Sequence, residues 1–302
     1  RAYGSNPTLV GNHGVAFARG MEDGGVLSVM KHFPGHGSTT ADSHLELPVI
    51  NKSLQELKQY DFAPFQQYID AGLGGCLTAH LYIPAIDKRR VPGTMSKAYV
   101  TNLLQKKMHF NGLIFTDALG MEGAKEVKGS VCVNAFLAGN DILLMPNEVG
   151  PEIAAIKQAI AAGKIKQKDV DARVKKILRF KYALGLDTKP QIDLANIVAD
   201  INAPESKVLQ RKMVASAVTV VKSANDILPL KNLNNRKIAV VVMGNENGVK
   251  SMFARRCTDY AEATVFDYNR VGSLDALQQK IAKGGLNTVI VCVATPAEAY
   301  MN

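Results

Sequence analysis

Short apolar runs alternate with longer amphipathic stretches through most of this chain. Val26 to Met30, CLTAH (76–80), Gly112 to Asp117 and DILLMP (141–146) are brief and mostly Gly-bounded, which predicts four buried strands. Helical spacing separates them. Thr8 to Met21 offers Leu9, Ala16 and Phe17 to one face. Ser53 and Glu56 make a capping box ahead of Leu54 and Leu57, and Pro64 kinks or restarts that helix. Ser96 caps a helix to about Met108 with Leu103 and Leu104 inward, and a further helical segment spans roughly 123–137. Helices over 151–162 and 169–184 follow. In the second, Val170, Val174, Ile177 and Leu178 share a face and Gly185 is the expected C-cap.

Strand followed by helix, repeated over residues 1–186, predicts a parallel α/β architecture. Polar residues collect where these strands end: Lys31 and His32, His80, and Asp117. That placement fits a (β/α)8 TIM-type barrel, in which chemistry sits at the carboxyl ends of the strands, although a whole barrel takes about 250 residues and eight strands. The expectation is the C-terminal half of a barrel; an open doubly wound sheet is the alternative. The polar, Pro-containing stretch from Asp187 opens a linker and connecting helix (187–235). KIAVVVM (237–243), 263–266 and 288–294 then predict strands, with a helix around 274–283, so 236–302 reads as the start of a second α/β sandwich domain. MGNENG (243–248) lacks the spacing of a dinucleotide loop, and no cofactor is expected.

The densest chemistry lies in KHFPGHGSTTADSH (31–44), where Lys31, His32, His36, Asp42 and His44 stand close together in a loop shaped by Pro34, Gly35 and Gly37. Asp42 and His44 are two residues apart. A carboxylate on one imidazole nitrogen holds the ring and raises its basicity, leaving the other nitrogen to pass a proton near neutral pH. A polar loop with individually satisfied histidines is the plainer alternative.

KHFPGHG, DSH and LELPVI (45–50) together resemble the signature of bacterial glycoside hydrolase family 3 β-N-acetylglucosaminidases, and GLIFTDALGMEGA (112–124) resembles the nucleophile motif of that family. The resemblance covers roughly residues 1–245. It implies a retaining hydrolase that removes terminal β-linked N-acetylglucosamine from peptidoglycan fragments or chitooligosaccharides through a covalent glycosyl-enzyme. Asp117 would be the nucleophile and His44, oriented by Asp42, the acid/base. Lys31 and His32 would contact sugar hydroxyls, Arg1 the acetamido sugar or its neighbour, and His80 a further part of the substrate. Two alternatives stay within the family: a β-glucosidase or β-xylosidase, against which DSH argues, and a phosphorylase, since a His acid repels phosphate less than a carboxylate does. A non-catalytic sugar-binding or scaffold protein is the alternative of another class. The acidic pocket residue that the family carries on its first barrel strands has no counterpart here.

Composition narrows the picture a little. With 47% hydrophobic and 21% charged residues among 302, wholesale disorder is excluded, and no apolar run approaches the length of a membrane span. The net charge of +9 concentrates in residues 151–190, which hold 10 Lys/Arg against 4 Asp/Glu. Without interleaved aromatics this reads as a solvated face rather than a nucleic-acid surface, though an anionic envelope polymer would profit weakly from it. Cys76, Cys132, Cys257 and Cys292 are widely spaced and predict core thiols, with neither a disulfide framework nor a metal site. The chain starts with Arg1 and shows no signal peptide, which leaves bacterial cytoplasm and cell envelope both open.

Overall fold

The computed structural model describes residues 3–39, 41, 45–188, 194–224, 227–244 and 251–293. The chain divides into two compact units, Arg1–Asp193 and Leu194–Asn302.

The first unit begins with α1 (Pro7–Asp23), whose N-cap Asn6 accepts from Leu9 N. Its last turn explains where the first strand starts. Gly24, Gly25 and Val26 donate their amides back to Gly20, Glu22 and Met21, with Gly25 in the left-handed region at φ 84°. Val26 is spent on this cap and is left exposed. The predicted strand at Val26–Met30 is therefore corrected to β1, Val29–Phe33, which carries Lys31 and His32 within it.

The capping box forms as expected: Ser53 Oγ accepts from Glu56 N, and the Glu56 carboxylate accepts from Ser53 N at 2.8 Å. After α2 (Leu54–Glu56) the helix loosens into a π-turn at Leu57–Asp61 and resumes as α3 (Phe62–Asp70). Pro64 thus stands in the first turn of the resumed segment, where its missing N–H is tolerated. Next come β2 (Gly75–Thr78), a π-helical segment Ala98–Lys107, β3 (Leu113–Thr116), α4 (Val131–Ala138), α5 (Val149–Ala161) and α6 (Gln167–Ala183). Helix α4 starts later than predicted because Gly129, at φ 82°, turns the chain just before Ser130, whose hydroxyl caps Val133 N.

The three strands are parallel in the order β1-β2-β3, with Phe33 opposite Thr78 and Thr78 opposite Thr116. Each new strand adds beside the last, the winding sense of a barrel wall. The fourth expected strand reduces to a bridge between Ile142 and Phe115. Asp141 N and Ile142 N reach Ile114 O, but Leu144 N turns to the hydroxyl of Thr116 at 2.8 Å, and that side chain takes the place of the next ladder bond. The core lies between the sheet and its helices, where Leu57, Leu81, Ile83, Val100, Leu104 and Ile114 are wholly buried.

The predicted face of α6 is rotated. Val174 and Leu178 are exposed, whereas Arg173 and Lys176 turn inward. Arg173 stacks over Phe136 at 3.7 Å and donates to its carbonyl; Lys176 pairs with Asp141 at 2.6 Å. Part of the basic charge assigned to a solvated face therefore clamps this helix to α4 and to the segment bridged to β3.

Asp87 anchors the connection after β2. Its carboxylate accepts from Ser96 Oγ at 2.6 Å and from Arg89 at 2.8 Å. Burial pushes its pKa up, but these hydrogen bonds outweigh burial and hold it below the ordinary carboxylate range. A lowered folded pKa contributes stability above the unfolded pKa that is lost as pH falls through the folded one. Asp87→Asn should cost about 1–2 kcal/mol at pH 7, and the gap should close once the solution is acid enough to protonate Asp87. Urea unfolding of both proteins at neutral and acid pH measures this.

The second unit contains α7 (Ile197–Ile201), inside the stretch read as linker, and α8 (Pro204–Ala217), where the connecting helix is expected. Then follow β4 (Ile238–Met243), α9 (Met252–Thr258), β5 (Ala263–Asp267), α10 (Tyr268–Val271), α11 (Leu274–Lys283) and β6 (Thr288–Val293). The sheet order is β5-β4-β6, all parallel. The chain turns to one side of β4 and then to the other, the doubly wound arrangement. The four cysteines are free thiols, with Cys76 and Cys132 buried. Among the described residues no helix is long and apolar enough to cross a membrane, and no cluster of metal-ligating side chains forms.

Candidate active site

Three neighbouring strands in the first unit carry polar side chains near or just past their carboxyl ends, and the backbone between them is tightly tied. Ala79 N donates to Phe33 O and Asp117 N to Thr78 O, each at 2.9 Å. The β1–β2 register shifts between Met30 and Phe33, which places Lys31 and His32 in the irregular turn of the ladder. Phe33 anchors this turn: it is buried, edge-on to Phe65 at 5.3 Å and stacked on Phe62 at 6.4 Å. The peptides Lys31–His32 and Phe33–Pro34 are both cis.

His32 and Asp117 meet across the strand ends, with Nε2 4.0 Å from Oδ2. Asp117 divides its oxygens. Oδ1 accepts the amide of Ala118 at 2.9 Å, and Oδ2 is the one nearest His32. The two side chains keep 20% and 35% of their surface, so the carboxylate is reachable from solvent while held from behind. His36 lies edge-on to His32, with ring centroids 5.8 Å apart. Lys31 is exposed beside them.

His80 is placed differently. It lies just past β2, wholly buried, with Nε2 3.0 Å from the carbonyl oxygen of Ala118. Burial lowers its pKa, against the Ala118 carbonyl and the Asp117 carboxylate, which raise it. Arg1, Asp42 and His44 lie outside the described residues.

The two stems of the histidine-rich loop converge on Asp61, in the π-turn. Lys52 pairs with Asp61 Oδ2 at 2.7 Å, Ser38 Oγ reaches Oδ1 at 3.4 Å, and a Cβ on Gly35 would lie 3.0 Å from that of Asp61. Gly35 sits at φ 130°, so the turn requires glycine on both counts. On the return stem Ile50 N and Tyr82 N donate to Tyr82 O and Pro48 O, which pins the LELPVI segment beside the chain leaving β2. Sequence reasoning missed Asp61 because an acidic residue on a half-exposed helix carries no mark of its partners. The Lys-plus-Ser setting exists only once the loop is folded. A pocket among Leu27, Gly74, Gly112 and Phe180 opens at the opposite end of the sheet, away from these groups.

The arrangement can present a fixed carboxylate, with imidazole and ammonium groups beside it, to a polar substrate above the sheet. Residues 1–180 match the family described as Glycosyl hydrolase family 3 N terminal domain. Beta-hexosaminidase A of Pseudoalteromonas piscicida is 31% identical over 265 residues, covering 80% of this chain and 43% of that protein. The chain thus spans less than half the length of that curated relative. A glycoside hydrolase family 3 beta-N-acetylglucosaminidase from Paenibacillus sp. str. FPU-7 has a similar fold, with TM-score 0.74, 24% identity, and coverage of 99% of this chain and 60% of that one. Beta-glucoside phosphorylase BglX is similar at TM-score 0.77 and 24% identity, covering 97% and 56%. These two likenesses concern the fold.

Proposed function

The chain belongs to glycosyl hydrolase family 3, and on that premise we propose that it is the part of a retaining exo-β-N-acetylglucosaminidase that carries the nucleophile and the acid/base loop. The observation that supports this reading best is the meeting of His32 and Asp117 at the carboxyl ends of two strands, 4.0 Å apart. The similarity to a protein named beta-hexosaminidase A points to the amino sugar. We read residues 1–186 as the C-terminal half of a barrel, residues 187–235 as a connection and residues 236–302 as the start of a second α/β domain.

In the first step Asp117 Oδ2 attacks the anomeric carbon, the bond from that carbon to the leaving oxygen breaks, and His44 gives its proton to that oxygen. The result is a glycosyl ester on Asp117 and a neutral His44. In the second step His44 takes a proton from water, the resulting oxygen attacks the same carbon, and Asp117 leaves as carboxylate. Asp42 would keep the His44 ring in one tautomer through both steps. Oδ1 stays on the Ala118 amide throughout, which disperses charge without consuming the nucleophilic oxygen. Lys31 and His32, beside Asp117, would hold sugar hydroxyls, and Arg1 the acetamido group or its neighbour.

Assaying the full-length protein on p-nitrophenyl N-acetyl-β-glucosaminide and on the matching glucoside tests the reading. Preference for the former supports it, and no turnover of either overturns it. Adding inorganic phosphate and looking for sugar 1-phosphate separates a phosphorylase from a hydrolase. His44→Ala should lower kcat about a hundredfold on unactivated glycosides and much less on p-nitrophenyl substrates, whose leaving group departs without a proton. Equal losses on both would remove His44 from the acid role.

A further inference from the structure

We propose that His80 is a positioning residue for Asp117: its ring, buried behind the strand ends, grips the Ala118 carbonyl and so fixes the residue whose N–H holds the Asp117 carboxylate. The proposal rests on the nucleophile reading above for its catalytic consequence, but its structural content stands on its own contacts.

Those contacts leave the ring one chemical form. A carbonyl only accepts, so His80 Nε2, 3.0 Å from Ala118 O, carries the proton. Nδ1 is buried and meets no hydrogen-bond partner among the described residues. A second proton there would add a charge and an unpaired N–H in a site without solvent, and burial already lowers the proton affinity of the ring. His80 is therefore a neutral imidazole with the proton on Nε2, a rigid donor of fixed reach. With no exposed surface, it has none to offer a sugar in this arrangement, in contrast to the contact role implied by the family resemblance.

The residue it grips holds the carboxylate. Asp117 N is tied to Thr78 O, Ala118 N to Asp117 Oδ1, and Ala118 O to His80. Both polar groups of the residue after Asp117 are thus engaged, one by Asp117 itself and one by His80. If the Ala118 carbonyl were released, the Ala118–Leu119 peptide would keep the bond from Leu119 N to Leu144 O at 2.9 Å, but Ala118 itself would lose one of its two ties. The Ala118 N–H, in the preceding peptide, would shift with that residue, and Oδ2 would lose its aim. Reacting atoms must lie about 3–3.5 Å apart and aligned, and a displacement of about 1 Å can cost a hundredfold in rate.

The test uses three forms of the full-length protein. Gln places its side-chain N–H₂ close to where His carries Nε2, whereas the shorter Asn mimics only Nδ1. His80→Gln should therefore keep the grip and His80→Asn should lose it, at similar melting temperatures. Nitrogen-15 spectra of the histidines should show His80 as the Nε2–H tautomer at neutral pH. The Ala118 amide should exchange slowly in wild type and His80→Gln, and fast in His80→Asn. On the glycoside, His80→Asn should lower kcat at least about tenfold with little change in KM, and His80→Gln should recover most of that loss. An Nδ1–H tautomer, or identical Ala118 exchange in the Asn and Gln variants, overturns the proposal whether or not the protein hydrolyses glycosides. Equal kcat in the two variants overturns the catalytic half. Absence of glycoside turnover in wild type counts against the hydrolase reading alone, with tautomer and exchange still deciding the role of His80.

Discussion

Asp117→Ala in the full-length protein should abolish turnover, lowering kcat by at least about ten thousandfold while the fold survives. The side chain is partly exposed, and the amide it caps, Ala118 N, can turn to water, so the stability cost should stay below about 1 kcal/mol. Two measurements separate a lost nucleophile from a lost structural contact. The melting temperature of the variant should remain close to wild type. In addition, azide should restore part of the activity, because a small anion fits the space of the missing carboxylate. It would attack the anomeric carbon from the face Asp117 uses, and with one displacement in place of two it would leave a glycosyl azide of inverted configuration. Turnover retained in Asp117→Ala would take the nucleophile role away from this residue.

Asn140→Asp should produce the largest loss of stability, about 3–5 kcal/mol. Asn140 is wholly buried and fully used: Oδ1 accepts from Thr78 Oγ1 at 2.9 Å, and Nδ2 donates to Thr94 O at 2.8 Å and Ala135 O at 2.7 Å. A carboxylate there would set an oxygen against two carbonyl oxygens with no cation among these partners. Its pKa would rise, since only the protonated form can donate to one of the two. A raised folded pKa means the penalty relative to wild type grows as pH rises through it and shrinks in acid. Chemical denaturation of both proteins at pH 5 and pH 8 checks the sign. A penalty independent of pH would show that the site relaxes to admit water. Because Thr78 also receives the amide of Asp117, this buried amide supports the candidate site as well as the sheet.

Much of this molecule could be read along the chain, and the exceptions have identifiable causes. The capping box at Ser53–Glu56 and the second-unit strands from KIAVVVM onward depend on neighbours in sequence, and they form where predicted. The first strand slipped from Val26 to Val29 because a helix cap claimed three amides before pairing could begin. The fourth strand shrank to one bridge because the Thr116 hydroxyl took an amide that the ladder needed. On α6 hydrophobicity pointed to Val174 and Leu178, yet Arg173 and Lys176 face inward because Phe136 and Asp141 await them there. In the first case a local backbone cap outweighed the apolar pattern, and in the other two a partner from a distant part of the chain did.

The candidate site divides along the same line. By itself the sequence determined the chemical cast: Lys31, His32, His80 and Asp117 at the ends of successive apolar runs, the Asp42–His44 pair in the loop, and through those motifs the family. Residue types and short spacings suffice for that, because strand polarity and the alternation of strand and helix are local properties. Only the tertiary structure decided which groups meet. It set Asp117 4.0 Å from His32, turned one carboxylate oxygen to the Ala118 amide, closed the loop stems on Asp61 and sealed His80 behind the peptide it holds. Side-chain distance and burial depend on strands separated by dozens of residues being brought into register, and no local pattern encodes that register.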